Sequence, residues 1–268
     1  MKRFHLNTAS FSTLRESSVQ AVPILEVREE KVHPSLIKRY TQYIKSSTPL
    51  RSRVLPQTRL LSMPSTGDYL NKIFHLYAFK GGLQEREQLL FDLEFDENNR
   101  EGLSWARYLE SGRSLTEEQK SSIFVEAPLV HSTNEIVGLM KTEKSPVFDI
   151  VGENDKKCIY EIRKYKLKLG YDTVPNFLSL YGDGLPSKLH ADGTDPETEL
   201  ITLMYTEVGE LNEVIEVWRH GNGVVGMENS RNAARSAQSW RKAIAKIALL
   251  AKEFTSTIHI PLEGSPMR

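Results

Sequence analysis

The chain is predicted to be an α+β protein made of two tandem copies of one β-α-β-β-α-β unit, packed together as an intramolecular pseudodimer. Three observations predict this. First, Ile24-Leu25-Glu26-Val27-Arg28-Glu29-Glu30-Lys31-Val32 returns as Ile159-Tyr160-Glu161-Ile162-Arg163-Lys164-Tyr165-Lys166-Leu167, with Ile, Glu, Arg and Lys identical. Second, the same spacing recurs at Trp105/Trp240 and Ile123/Ile258. Gly67, Leu70, Asn71 and Tyr77 then align with Gly209, Leu211, Asn212 and Trp218, beyond a longer loop in the second copy. Ordered anchors along two half-chains mark a duplication. Third, the hydrophobic periods of both copies give the same order of elements.

In the first copy, Val22 to Val32 alternates and is rich in branched residues, so it reads as a strand. Pro34 suits a first helical position, and Leu36, Ile37, Tyr40 and Ile44 follow at helical spacing. Val54 to Met63 and Tyr69 to Phe79 read as a hairpin about the turn formers Pro64-Ser65-Thr66-Gly67-Asp68. A helical stretch begins near Leu83, and Ser121 to Val125 closes the copy as a short strand. The second copy gives a strand over Ile159 to Leu167, a helix from Thr173 to Tyr181, and strands over Leu200 to Glu207 and Leu211 to Trp218. Its last helix carries Trp240, Ile244, Ile247, Ala251 and Phe254 as an apolar stripe, before a strand over Ser256 to Ile260.

This is the element order of the ferredoxin-like fold, which covers one sheet face with helices. The other face is also apolar, so two such sheets are expected face to face in a barrel-like pseudodimer. The expected organisation is a tail at 1–21, repeats at 22–129 and 158–268, and a linker at 130–157. Gly182 to Thr198, with Gly-Asp-Gly-Leu-Pro and Asp-Gly-Thr-Asp-Pro, reads as a long mobile loop.

Composition excludes several classes. With 35 basic and 35 acidic residues the formal charge is zero, so nucleic acid is not an expected partner. The single Cys158 leaves no intramolecular disulfide and no cysteine-based metal site. No apolar run approaches the ~20 residues that span a bilayer, so only peripheral membrane association is compatible with the sequence. The segment Met1 to Ser18 holds Lys2, Arg3 and Arg15, is rich in Ser and Thr, and has no acidic residue before Glu16. That composition reads as a mitochondrial presequence or an unaddressed tail, the latter leaving the chain cytoplasmic.

The second copy also resembles the NIPSNAP family. The resemblance lies in Ile159-Tyr160-Glu161-Ile162-Arg163, Tyr205-Thr206-Glu207-Val208-Gly209-Glu210-Leu211-Asn212, Val217-Trp218, Ile260-Pro261-Leu262 and Ser265-Pro266. It covers residues 158 to 267, and reaches 22 to 129 through Glu26, Arg28, Leu70, Asn71 and Ile123. It implies tandem dimeric α/β-barrel repeats, a mitochondrial location and roles in vesicle trafficking or in marking damaged mitochondria for autophagy. It carries over no catalytic residue. Copy one departs from the pattern, with Leu25 and Tyr77 where copy two has Tyr160 and Trp218.

Candidate chemistry is sparse. Glu161 and Arg163, like Glu26 and Arg28, stand two apart on a strand and share a face. Turned into the barrel, the four groups would line a polar cavity, and an arginine there could clamp a carboxylate or phosphate. Turned outward, or paired, they are structural, as a feature repeated in both copies can be. Tyr160, Tyr205 and Trp218 would give the second copy the richer aromatic wall for an anionic ligand. His75 and Glu216 lie in corresponding strands; a strand histidine could carry a proton or bind a ligand, but no second metal ligand stands at a recognisable spacing, so His75 reads as structural or exposed. The acidic stretch from His190 to Glu199 lacks the register of a calcium loop, and no metal or cofactor is expected. No Walker loop, Gly-x-Gly-x-x-Gly, Gly-x-Ser-x-Gly or His-Glu-x-x-His occurs. Two classes remain. One is a non-catalytic mitochondrial adaptor binding protein partners, with further homo-oligomerisation open. The other is a small-molecule binder or monooxygenase-like enzyme of the same barrel fold. The missing nucleophile, acid-base pair and metal cluster favour the adaptor.

Overall fold

In a computed structural model, residues 21–94, 100–141 and 158–268 are described. The predicted amino-terminal address falls outside them.

Alternating residues make each half a four-stranded sheet. Repeat one carries β1 (Ile24–Val32), β2 (Thr58–Thr66), β3 (Lys72–Phe79) and β4 (Thr116–Glu126), ordered β4-β1-β3-β2. Repeat two carries β5 (Ile159–Leu167), β6 (Thr198–Val208), β7 (Glu213–His220) and β8 (Ala251–Pro261), ordered β8-β5-β7-β6. The registers coincide: Glu26 faces Tyr77 and Ile123, as Glu161 faces Trp218 and Ile258. Asn71 and Asn212 play one role, each capping the end of its first strand through a backbone bond of 2.8 Å, to Val32 and Leu167. The duplication is therefore structural as well as sequential.

The two sheets do more than lie face to face. Edge strand β2 pairs with β8, and β4 with β6, so among the described residues eight strands close into one barrel. Closure removes the open edges that two separate sheets would present. Both junctions depend on a glycine with positive φ, where a side chain would meet the opposite half: Gly67 against the Ser256 carbonyl at 2.7 Å and Gly209 against Ser122 at 2.7 Å. Leu25, Val27, Leu76, Tyr160, Ile162, Ile215 and Val217 fill the interior. Near Arg59 and Leu61 the carboxy-terminal segment packs in: Leu262 donates to the Leu61 carbonyl, Ser265 accepts from the Leu61 amide, and Met267 is buried in the interior cluster. Residues 136–139, expected as linker, follow the short helix α4 (Pro128–Ser132) and bond to Leu200 and Ile201, with Leu139 also in that cluster.

Helices cover the outside: α1 (Ile37–Val54), α2 (Gly82–Glu94) and α3 (Arg100–Arg113) in repeat one, and α5 (Thr173–Leu189), α6 (Gly223–Ser236) and α7 (Gln238–Leu250) in repeat two. Three expectations are corrected. Val54 ends α1 rather than starting a strand. Ala251 and Phe254 belong to β8, so the α7 stripe stops at Leu250, and Phe254 is exposed. The expected loop at Gly182 is helix: α5 runs through Gly182-Asp183-Gly184-Leu185-Pro186 to Leu189. Packing overrides the local glycine and proline penalties there. A Cβ on Gly184 would stand 2.6 Å from that of Ala243, so the glycine is what lets α7 lie against α5.

Candidate functional site

The strand pleat sets the chemistry of each face. Leu25, Val27, Tyr160 and Ile162 point into the barrel, so Glu26, Arg28, Glu161 and Arg163 point outward beneath the helices. The four charged groups do not share a cavity. Each carboxylate is instead the centre of its own polar cluster.

Glu161 accepts from Arg163 Nε at 2.6 Å, Arg231 at 2.5 Å, Ser256 Oγ at 2.6 Å and His220 Nε2 at 3.4 Å. Glu26 accepts from Arg28 at 2.6 Å, Arg86 at 2.9 Å and Ser121 at 2.6 Å. Burial alone would raise both carboxyls. The bonds from His220 and Arg163 hold Glu161 well below the usual carboxylate range, and those from Arg86 and Arg28 bring Glu26 down to about 2. Neither is a general base. They orient arginines, and His220, lowered by burial against the pull of Glu161, stays neutral near pH 7 with Nδ1 on Thr198 at 3.0 Å.

Around these clusters the halves diverge. In repeat two a cavity of about 460 Å³ opens between the sheet and α5, α6 and α7. Glu161, Arg163, Trp218 and His220 form its floor, Trp240 and Ile244 a wall, and Arg231, Arg235 and Arg241 its helix side. In repeat one the counterpart is only about 30 Å³, lined by Arg28, Tyr43, Arg51, Tyr77, Trp105 and Tyr108. Tyr43 stacks on Tyr108 at 3.9 Å there, where repeat two has Gly184 and Ala243.

Lys188, near the end of α5, also lines the larger cavity. It is buried, with Nζ 3.5 Å from the Trp218 ring centre and 4.6 Å from that of Trp240, and no hydrogen-bond partner among the described residues. Burial, and then the Arg163 charge, press its ammonium well below the ordinary lysine value. The two indole faces partly oppose this. In repeat one the cation beside the matching tryptophan is Arg51, one helical turn further along α1, 5.2 Å from the Trp105 ring centre.

Of the predicted site residues, the cavity brings together Glu161, Arg163 and Trp218. Tyr160 is excluded because neighbours on a strand face opposite ways, and its ring belongs to the barrel interior. Tyr205 stands on β6 beside the β4 junction and does not line the cavity, while Glu26 and Arg28 serve the other half. Lys188, Arg231 and His220 were not anticipated. Lys188 continues the buried stripe Phe177, Tyr181 and Leu185, which is visible only once α5 extends past Gly182. Glu216 is an internal anchor, accepting from Tyr165, Tyr181 at 2.9 Å and Trp218 Nε1 at 2.5 Å. His75 likewise contacts the hydroxyls of Tyr77 and Tyr40. Burial raises the Cys158 thiol, so its thiolate is disfavoured.

No family model matches the chain. Among curated proteins it is similar to NipSnap homolog 2 of Danio rerio, 23% identical over 194 residues, which span 72% of this chain and 56% of that protein. The match thus takes in little more than half the length of that relative. Among solved structures, a candidate monooxygenase from Fusobacterium nucleatum subsp. nucleatum aligns with a TM-score of 0.58 at 10% identity, over 90% of this chain and 93% of that one. A candidate monooxygenase from Lactobacillus acidophilus gives 0.54 at 9% identity, over 90% and 94%. The likeness to both is one of fold.

Proposed function

We propose that the chain is a NIPSNAP-family protein, a reading supported by its similarity to NipSnap homolog 2, and that its second repeat binds a small anionic molecule with a flat apolar body. The carrying observation is the cavity over Glu161, where Arg163, Arg231 and Arg235 outnumber one fully satisfied carboxylate. Arginine forks supply paired donors for a carboxylate or phosphate, and the Trp218 and Trp240 rings supply walls for the remainder. Conversion of the bound molecule, as in a monooxygenase-like enzyme, is the finer form of this reading. The two candidate monooxygenases support it through their fold alone.

Isothermal titration with an aromatic carboxylate such as 1-naphthoate tests the proposal. Arg163→Ala should weaken binding by at least about tenfold, near 1.4 kcal/mol, and Arg28→Ala by less than about twofold. Arg235→Ala, at the exposed rim, should weaken binding without lowering the melting temperature. Equal destabilisation by Arg163→Ala and Arg28→Ala, with unchanged isotherms in all three variants, would make both pairs purely structural.

The adaptor reading draws on a different surface. Leu169, Tyr171 and Leu211 are all exposed, and Asn212 Nδ2 donates to the Lys168 carbonyl at 2.8 Å, joining the turns that carry them. Large apolar groups so placed suit a protein partner. Replacing all three by serine should abolish photo-crosslinks from this end in cells, and retained crosslinks would remove the surface from consideration.

A further inference from the structure

We infer that Lys188 is a nucleophilic amine that condenses with the carbonyl group of a small oxo acid held in the second-repeat cavity. This rests on the anion-binding reading above and adds a reaction class to it.

The argument comes from comparing the two halves. In repeat one, Arg51 lies beside its aromatic pair and both of its terminal nitrogens reach hydroxyls, donating to Tyr108 at 3.1 Å and Tyr77 at 3.4 Å, while its Nε has no partner among the described residues. Repeat two has Trp218 at the Tyr77 position, and Ala243 stands 135 positions beyond Tyr108, as Trp240 does beyond Trp105. Both acceptors are lost. Lys188 keeps the π-faces, 3.5 Å and 4.6 Å away, but finds no oxygen among the described residues.

An ammonium here would bury three N–H donors without acceptors, an unfavourable arrangement. Burial and Arg163 favour the neutral amine, which is the nucleophilic form. The condensation product suits the site better than the ammonium does. An iminium has one N–H and a spread positive charge, which two indole faces stabilise without further hydrogen bonds. The acid's carboxylate has Arg163, Arg231 and Arg235 in the same cavity.

The step balances without a co-reactant. The Nζ lone pair forms a C–N bond to the carbonyl carbon, and the C=O π pair moves to oxygen. That oxygen takes one proton from Nζ and one from solvent, the C–O bond breaks, and water leaves the iminium.

Phenylpyruvate is the probe, with phenyllactate as the hydroxy acid that cannot form an imine. Incubation of the full chain with phenylpyruvate and cyanoborohydride, followed by peptide mapping, should place an adduct on Lys188. Its mass should be that of the acid less one oxygen atom. Phenyllactate should compete the adduct away. Lys188→Arg should retain the near-ultraviolet circular dichroism of the folded protein and lose the adduct. Binding of phenyllactate with no adduct, or with adducts confined to surface lysines, overturns the inference and leaves the anion-binding reading in place. Failure of both acids to bind overturns the two together.

Discussion

Trp240 shows how one side chain can serve both stability and the site. Its ring is buried, meets Tyr181 edge-on at 5.3 Å and forms a wall of the cavity. Trp240→Ala should therefore cost about 3–5 kcal/mol in urea denaturation, and a loss below about 1 kcal/mol would contradict this packing. The charged residues predict a pH response. Glu26 titrates near 2 in the folded chain against 4.5 ordinarily, so its contribution is complete above 4.5 and is lost as pH falls toward 2. The melting-temperature gap between the parent and Glu26→Gln should narrow over that window, and a constant gap would show that the ion cluster is not its source. His75 and His259 are pushed by burial from 6.5 down to about 4 and about 3. Only their unfolded forms take protons just below 6.5, so they weaken the fold progressively from that pH downward. At this scale the Glu/Arg pairs were legible because identity repeated in both copies. Their direction was not, since a strand's period of two defines two faces without saying which one is covered.

Among the elements, α5 separates what sequence patterns reveal from what packing decides. Strand order and the amphipathic helices follow from periods of two and three to four. Gly182, Gly184 and Pro186 each argue against helix locally, and only the surface of α7 explains why the helix continues. Gly184→Val should accordingly destabilise by about 1–3 kcal/mol through overpacking against Ala243 and Trp240, read as a shift in the urea midpoint. An unchanged midpoint would mean that the helices part without strain. Misreading α5 as a loop also hid Lys188, because a lysine in a polar loop carries no signal whereas one on an apolar helical stripe does.

For the whole molecule, closure of the barrel is the governing fact. Each half alone would expose two strand edges and an apolar inner face. Residues 158–268 expressed alone should therefore run as a homodimer in size-exclusion chromatography with light scattering. A monodisperse folded monomer would show that closure is dispensable. Addressing is a separate property, and we propose Met1 to Ser18 as its seat: a fluorescent fusion lacking residues 2–18 should become diffuse in cells, and a full-length fusion that never reaches mitochondria would remove the proposal outright. Persistent mitochondrial signal after the deletion would place the address elsewhere. The unequal cavities, about 460 Å³ and about 30 Å³, also bear on counting. A true dimer of identical subunits must offer its sites in pairs, and one occupied site can then influence the other. Fusing two unlike halves ends that obligation. Saturation should come at one equivalent per chain, along a simple hyperbola with a Hill coefficient of about one, so that ligand concentration is read proportionally rather than as a threshold.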